Sequence, residues 1–163
     1  MFLSVDEEGG RVARLANHSR FNLPRYESAR AVGDTGDPAQ AHEMGSTIGS
    51  YLRRHGFNLD FAPVADVATN PRNQVIGSRA FSSDPERAAQ MVQEAARGLR
   101  ERGIIPTFKH FPGHGDTSED SHSKLAVNWK SADQLRSCEW LPFAGAGPED
   151  MVMVGHIAVP DIT

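Results

Sequence analysis

Apolar and polar positions along the chain repeat one grammar three times. Asp37 is a suitable helix N-cap and Pro38 suits the first helical position. Ala41, Met44, Ile48, Tyr51 and Leu52 then recur at helical spacing before RRHG supplies cations and a terminal glycine. An extended apolar run, FNLDFAPVADV, follows. Asp84 and Pro85 open a second helix whose Ala88, Met91, Val92, Ala95 and Leu99 face one way, and RERG closes it before IIPTF. In the third copy Ser131 and Gln134 form a capping box and Leu135, Cys138 and Leu141 make an apolar stripe. MVMVGHIAV reads as the next strand.

Strands near 2–5, 57–67, 104–108 and 151–158 therefore alternate with helices at a spacing of roughly 45 to 50 residues, the pattern of a parallel α/β sheet. Polar residues collect where each strand ends: Asp6 and Glu7, then Asp66, then Lys109 and His110, then His156. In barrels of βα units, and in doubly wound sheets, ligands bind at the C-terminal ends of the strands, so these residues are expected to converge on one mouth. A closed eight-stranded barrel takes roughly 250 residues. The pattern thus leaves either a compact open α/β domain or part of a TIM-type (β/α)8 barrel, about half of it.

Composition narrows the function classes. The chain has 163 residues, 39% of them hydrophobic, enough for the core of one soluble domain. A net charge of -4 and the absence of a basic run argue against nucleic acid as a partner. The single cysteine, Cys138, excludes an intrachain disulfide and reads as a packing residue. No apolar run approaches the roughly 18 residues of a membrane span, so no membrane partner is expected. Both ends look cut: strand-like FLSV starts without a leader, and VPDIT follows directly on an apolar run.

The densest chemistry lies in KHFPGHGDTSEDSHS, Lys109 to Ser123. His110 and His114 have the spacing by which a helix presents two imidazoles to zinc, but Pro112, Gly113 and Gly115 make a helix there improbable, and no metal is expected. GHG lacks the following G-K-[ST] of a phosphate loop. Asp120 and His122 stand two apart, so in an extended loop their side chains point the same way. The carboxylate then fixes the imidazole tautomer and leaves the other nitrogen to move a proton. A solvated loop built of ordinary turn residues stands beside that reading as its alternative.

DEEGGRVARL, NLDFAPVADV, VIGSRAF followed by DPERAA, and above all KHFPGHGDTSEDSHS closely resemble the N-terminal barrel domain of glycoside hydrolase family 3, in its β-N-acetylglucosaminidase (β-N-acetylhexosaminidase) branch. The resemblance implies one fragment of a catalytic barrel over residues 1–163. It implies a retaining exo-glycosidase that removes terminal β-linked N-acetylglucosamine from peptidoglycan fragments or chitooligosaccharides, with no cofactor. It makes His122 the acid/base, assisted by Asp120, and Asp6, Arg14, Arg79, Lys109 and His110 the sugar-binding residues. Taken singly these have duller readings: a helix-terminal charge for Asp6, surface ion pairs for Arg14 and Arg79, simple packing for His156.

Retaining hydrolysis also needs a nucleophile. In the resembled family that aspartate stands in a later TDxLxM-type block, expected beyond Thr163, and neither Asp66 nor Asp161 has that context. The chain by itself is therefore expected to be inactive or nearly so, with exposed barrel edges that favour self-association. A β-glucosidase, an N-acetylglucosaminide phosphorylase and a non-catalytic sugar-binding or assembly module remain as alternatives. The sequence does not indicate a compartment.

Overall fold

Three apolar stripes with capped starts need a shared surface to cover, and the chain supplies one in a sheet of parallel strands. The computed structural model describes residues 1–118 and 125–162. Its largest sheet has four strands: β1 (Ser4–Val5), β4 (Leu59–Asp60), β5 (Ile105–Phe111) and β7 (Met151–Val154), side by side in chain order. Every pairing is parallel, with Ser4 against Leu59, Leu59 against Ile105 and Thr107 against Met151. The architecture is the α/β class expected, a fan of βα units of a barrel-type domain. Two small additions decorate it, an antiparallel hairpin of β2 (Glu7–Gly9) with β3 (Val12–Ala13) and a parallel pair of β6 (Ala126–Val127) with β8 (Ile157–Ala158).

The two long helices form where the sequence grammar placed them. In α2 (Pro38–Arg54) the Asp37 carboxylate accepts the Ala39 N–H at 3.0 Å. In α3 (Pro85–Glu101) Asp84 accepts from Arg87 at 2.8 Å. Their apolar stripes are buried: Met44, Ile48 and Leu52 on one, Met91, Val92 and Leu99 on the other, all packed with Phe108 of β5 in the main core. Two glycines set how closely the helices cross. A Cβ on Gly45 would sit 2.1 Å from the carbonyl oxygen of Ala95, and one on Gly98 would sit 2.4 Å from that of His42. Backbone therefore lies on backbone at the crossing, which no larger side chain permits.

The remaining expectations were right in kind and wrong in extent. The run 57–67 contributes only Leu59–Asp60 to the sheet. After Asp60 the regular ladder ends but single bonds continue, Phe61 N–H to the Val5 carbonyl at 2.8 Å and Thr107 N–H to the Ala62 carbonyl at 2.8 Å; Pro63 has no N–H to give, and an isolated bridge joins Val64 to Lys109. The third helix, α4 (Ala132–Ser137), has the capping box of Ser131 and Gln134 but stops before Cys138, and Pro142–Gly145 continues as a 3-10 turn. Cys138 is thus the half-buried C-cap of a short helix. A short helix α1 (Ala29–Asp34), capped by Ser28, was not anticipated. Among the described residues no helix is long and apolar enough to cross a membrane.

Candidate active site

The site grows from the alternation of DEEGG. Residues two apart in an extended segment share a face. Asp6 and Glu8 accordingly turn toward the strand ends, where Lys109 lies 2.7 Å from Asp6 Oδ1 and 2.6 Å from Glu8 Oε1. Glu8 also accepts both forks of Arg79, Nε at 2.8 Å and Nη2 at 2.7 Å. With side chains at most 13% exposed, Glu8, Lys109 and Arg79 form a desolvated alternation of charge whose members each have a partner. Burial alone would depress the Arg79 guanidinium, but the Glu8 carboxylate outweighs it and holds the arginine more firmly protonated.

Glu7 points the other way. Its buried carboxylate accepts the N–H groups of Leu15 at 2.8 Å and Ala16 at 2.9 Å and the Tyr51 hydroxyl at 2.8 Å, tying the hairpin to α2. Burial, with Glu7 beside it, pushes the Tyr51 phenol far up, so it stays a donor. Asp60 Oδ1 accepts the Glu7 N–H at 3.0 Å, while its Oδ2 has no hydrogen-bond partner among the described residues. Burial drives the Asp60 carboxyl well above the ordinary range despite that N–H and the Lys109 charge.

On β5 simple alternation would send Lys109 and His110 to opposite faces. The pairing with β7 shifts register between Lys109 and Phe111, and both side chains reach the mouth. His110 Nδ1 lies 2.7 Å from Asp66 Oδ2, and Asp66 Oδ1 accepts the backbone N–H of His114 at 2.6 Å. Burial pushes Asp66 up, but His110 and the two N–H groups of residues 110 and 114 prevail and hold it below the usual carboxylate value. Asp66 is therefore an anion.

Glu8, Arg79, Lys109 and His110 line a cleft of about 660 Å³ with Asp6, Arg14 and His156 on its walls, beside Val12, Phe61, Met153 and Val154. That volume suits a sugar-sized ligand, and the lining mixes apolar surface with convergent donors and acceptors. Arg14 is exposed at the rim, held there by its backbone N–H on the Asp6 carbonyl at 3.2 Å. The structure thus gathers all five sugar-binding candidates, Asp6, Arg14, Arg79, Lys109 and His110, into one cleft. The two catalytic candidates, Asp120 and His122, lie outside the described residues.

The metal reading of His110 and His114 meets a geometry of its own. The rings lie 5.9 Å apart edge to face, with His110 on Asp66 and His114 Nδ1 2.7 Å from the Thr117 hydroxyl. Burial keeps the His114 imidazole below its ordinary value. Sequence reasoning passed over Glu8 and placed Asp66 at a strand end without a role in the site. The signal for Glu8 was its place two residues from Asp6. That for Asp66 was its place at the end of an apolar run level with Lys109, and neither position names its partner.

The glycosyl hydrolase family 3 N terminal domain, as a sequence family, matches residues 1–163. The chain is 40% identical over 163 residues to beta-hexosaminidase LpqI of Mycobacterium tuberculosis, covering 99% of this chain and 41% of that protein. Among solved structures it is similar to a glycoside hydrolase family 3 beta-N-acetylglucosaminidase from Paenibacillus, with a TM-score of 0.92 and 39% identity over 99% of this chain and 30% of that one. It is also similar to NagZ from Neisseria gonorrhoeae, solved in complex with N-trifluoroacetyl-D-glucosamine, with a TM-score of 0.87 and 32% identity over 99% of this chain and 49% of that one. The chain spans less than half the length of each of these proteins.

Proposed function

The chain belongs to glycoside hydrolase family 3, and on that premise we propose that its residues 1–163 supply the sugar-holding half of a retaining β-N-acetylglucosaminidase site. The observation that carries the proposal is the ring of alternating charge at the strand ends. Arg79, Lys109 and Arg14 present donors, and Asp6 and His110 present acceptors, to one cleft of about 660 Å³. A pyranose offers hydroxyls that both donate and accept and, in N-acetylglucosamine, an amide, and this mixed set answers both. The substrate proposed is a terminal β-linked N-acetylglucosaminide of peptidoglycan-fragment or chitooligosaccharide type. Asp120 and His122 are proposed as the acid/base pair: the carboxylate orients the imidazole, whose free nitrogen protonates the leaving oxygen and then takes the proton of the attacking water.

Retention requires a carboxylate free to attack the anomeric carbon. Asp6, Glu8 and Asp66 each already hold a cation or an imidazole at 2.6–2.7 Å and are not proposed for that role. The chain assayed alone is accordingly expected to bind N-acetylglucosamine and to turn over little or no chromogenic β-N-acetylglucosaminide. Binding lost in Arg79→Ala supports the proposal. Substantial turnover abolished by His122→Ala would overturn the expectation that these residues supply only the sugar-holding half, and absence of any sugar binding would overturn the sugar-site reading itself.

Self-association is proposed through the outer strands. Phe2 and Leu3 beside β1 and Val152 and Val154 on β7 are exposed apolar side chains at opposite edges of one sheet. A solution mass above that of one chain supports this, and a strictly monomeric mass at high concentration rejects it.

A further inference from the structure

We propose that Asp66 is a positioning residue of the sugar site: it locks His110 in the Nδ1–H tautomer, so that Nε2 meets the sugar as a hydrogen-bond acceptor. The inference rests on the reading of the cleft as a sugar site and adds to it which way one hydrogen bond runs. It starts from two contacts of one imidazole. His110 Nδ1 lies 2.7 Å from Asp66 Oδ2, and His110 Nε2 lies 3.5 Å from Arg79 Nη2.

The first contact fixes the proton on Nδ1. A bare Nδ1 would set a lone pair against the lone pairs of the carboxylate at 2.7 Å, so the hydrogen must lie between them. Asp66 stands fully desolvated, held as an anion by its neighbours, and accepts the His114 N–H at 2.6 Å and the His110 N–H at 3.3 Å through its other oxygen. Those two backbone bonds clamp the carboxylate plane, so the ring cannot gain a different partner by rotating Asp66.

The second contact fixes the other nitrogen. A hydrogen on Nε2 would face the N–H of an arginine whose charge is already committed to Glu8, donor against donor. A lone pair on Nε2 faces it favourably. At 3.5 Å the arginine is at the outer limit of hydrogen bonding and uses that lone pair weakly, so it remains open to a hydroxyl hydrogen from the cleft. His110 therefore takes from the ligand, whereas Lys109 and Arg79 give to it.

Asp66→Asn separates this role from a merely structural one. The amide keeps the size and can keep both backbone bonds through its oxygen, but its NH2 then faces Nδ1 and donates. The proton is forced to Nε2, against Arg79. The experiment records the imidazole nitrogen shifts of the 15N-labelled chain near neutral pH, with His110→Gln identifying the His110 signals, and titrates each protein with N-acetylglucosamine. The expected result is the Nδ1–H pattern for His110 in the unsubstituted chain, the Nε2–H pattern in Asp66→Asn, and affinity about tenfold weaker in the variant. An Nε2–H or doubly protonated His110 in the unsubstituted chain overturns the proposal with no variant required. So does an unchanged tautomer or affinity in a folded Asp66→Asn. If the unsubstituted chain binds no N-acetylglucosamine, the sugar-site reading fails while the nitrogen shifts still decide what Asp66 does to His110.

Discussion

Glu8 Oε1 and the Lys109 ammonium meet at 2.6 Å with only 2% of either side chain exposed, joining the β2–β3 hairpin to the third strand of the main sheet across 101 positions of sequence. A buried pair of this kind is costly to break, because the partner left behind keeps its charge without water to solvate it. Glu8 also holds both forks of Arg79, so one carboxylate sets the position of two cations.

Glu8→Gln is accordingly expected to weaken N-acetylglucosamine binding about tenfold or more and to lower stability, since a neutral amide satisfies neither cation fully. Arg97→Ala is the matched control. That arginine, half exposed on α3, pairs with Glu94 and Glu101 on the surface, and its loss should leave affinity unchanged and stability little altered. Calorimetric titration and urea unfolding of both variants check the contrast. Equal effects would contradict it.

Gly45→Ala is expected to cost about 1–3 kcal/mol, an overpacking penalty, because the added methyl has the Ala95 carbonyl oxygen 2.1 Å away and neither helix can yield alone. Gly36→Ala tests a different mechanism. There the new Cβ meets nothing within 4 Å, and the cost arises from a φ of +71°. Relief of the first variant, but not the second, by shortening Met91 or Leu99 would show that the crossing has been mis-assigned.

Asp60 predicts a pH dependence of definite sign. Its folded value lies well above the ordinary one, so below about pH 4 the acid is neutral in both states and its contribution is complete. As pH rises through the unfolded value the unfolded chain ionises while the folded chain keeps its proton, and stability is lost. Asp60→Asn removes this loss and should be more stable than the parent at about pH 7, with a gain that shrinks toward about pH 4. Urea midpoints across that window measure it. Asp66 has the opposite sign: its contribution is full above the ordinary carboxylate value and is lost as pH falls through its lowered folded one.

Asp84→Ala should cost about 1 kcal/mol by freeing the Arg87 N–H at the start of the 17-residue α3. Thermal unfolding reads it directly, and rescue by Asp84→Ser identifies the loss as capping.

What was legible in the sequence was local. Asp37, Asp84 and Ser131 announce helix starts because a cap needs only a side chain and an N–H two or three residues away. FNLDFAPVADV shows apolar character but not where its hydrogen bonds go, and only Leu59–Asp60 joins the sheet. The end of α4 was missed because Leu135, Cys138 and Leu141 keep a helical spacing past the point where the backbone has tightened. Among the site residues, a cation at a strand end is visible in sequence. The counter-ion of Lys109, Glu8, lies 101 positions away in the chain and is not.

The strands stand in the sheet in the order in which they are synthesised, β1, β4, β5 and β7. A chain leaving the ribosome amino end first meets each partner as soon as it appears, without reopening a pairing already made. The cleft does not share that convenience. Glu8 can meet Arg79 once residue 79 has emerged, but Asp6 waits for Lys109, 103 residues after it, before its charge is answered. The sheet is built progressively, whereas the electrostatic balance of the mouth is completed only when β5 docks and Lys109 joins Asp6 and Glu8.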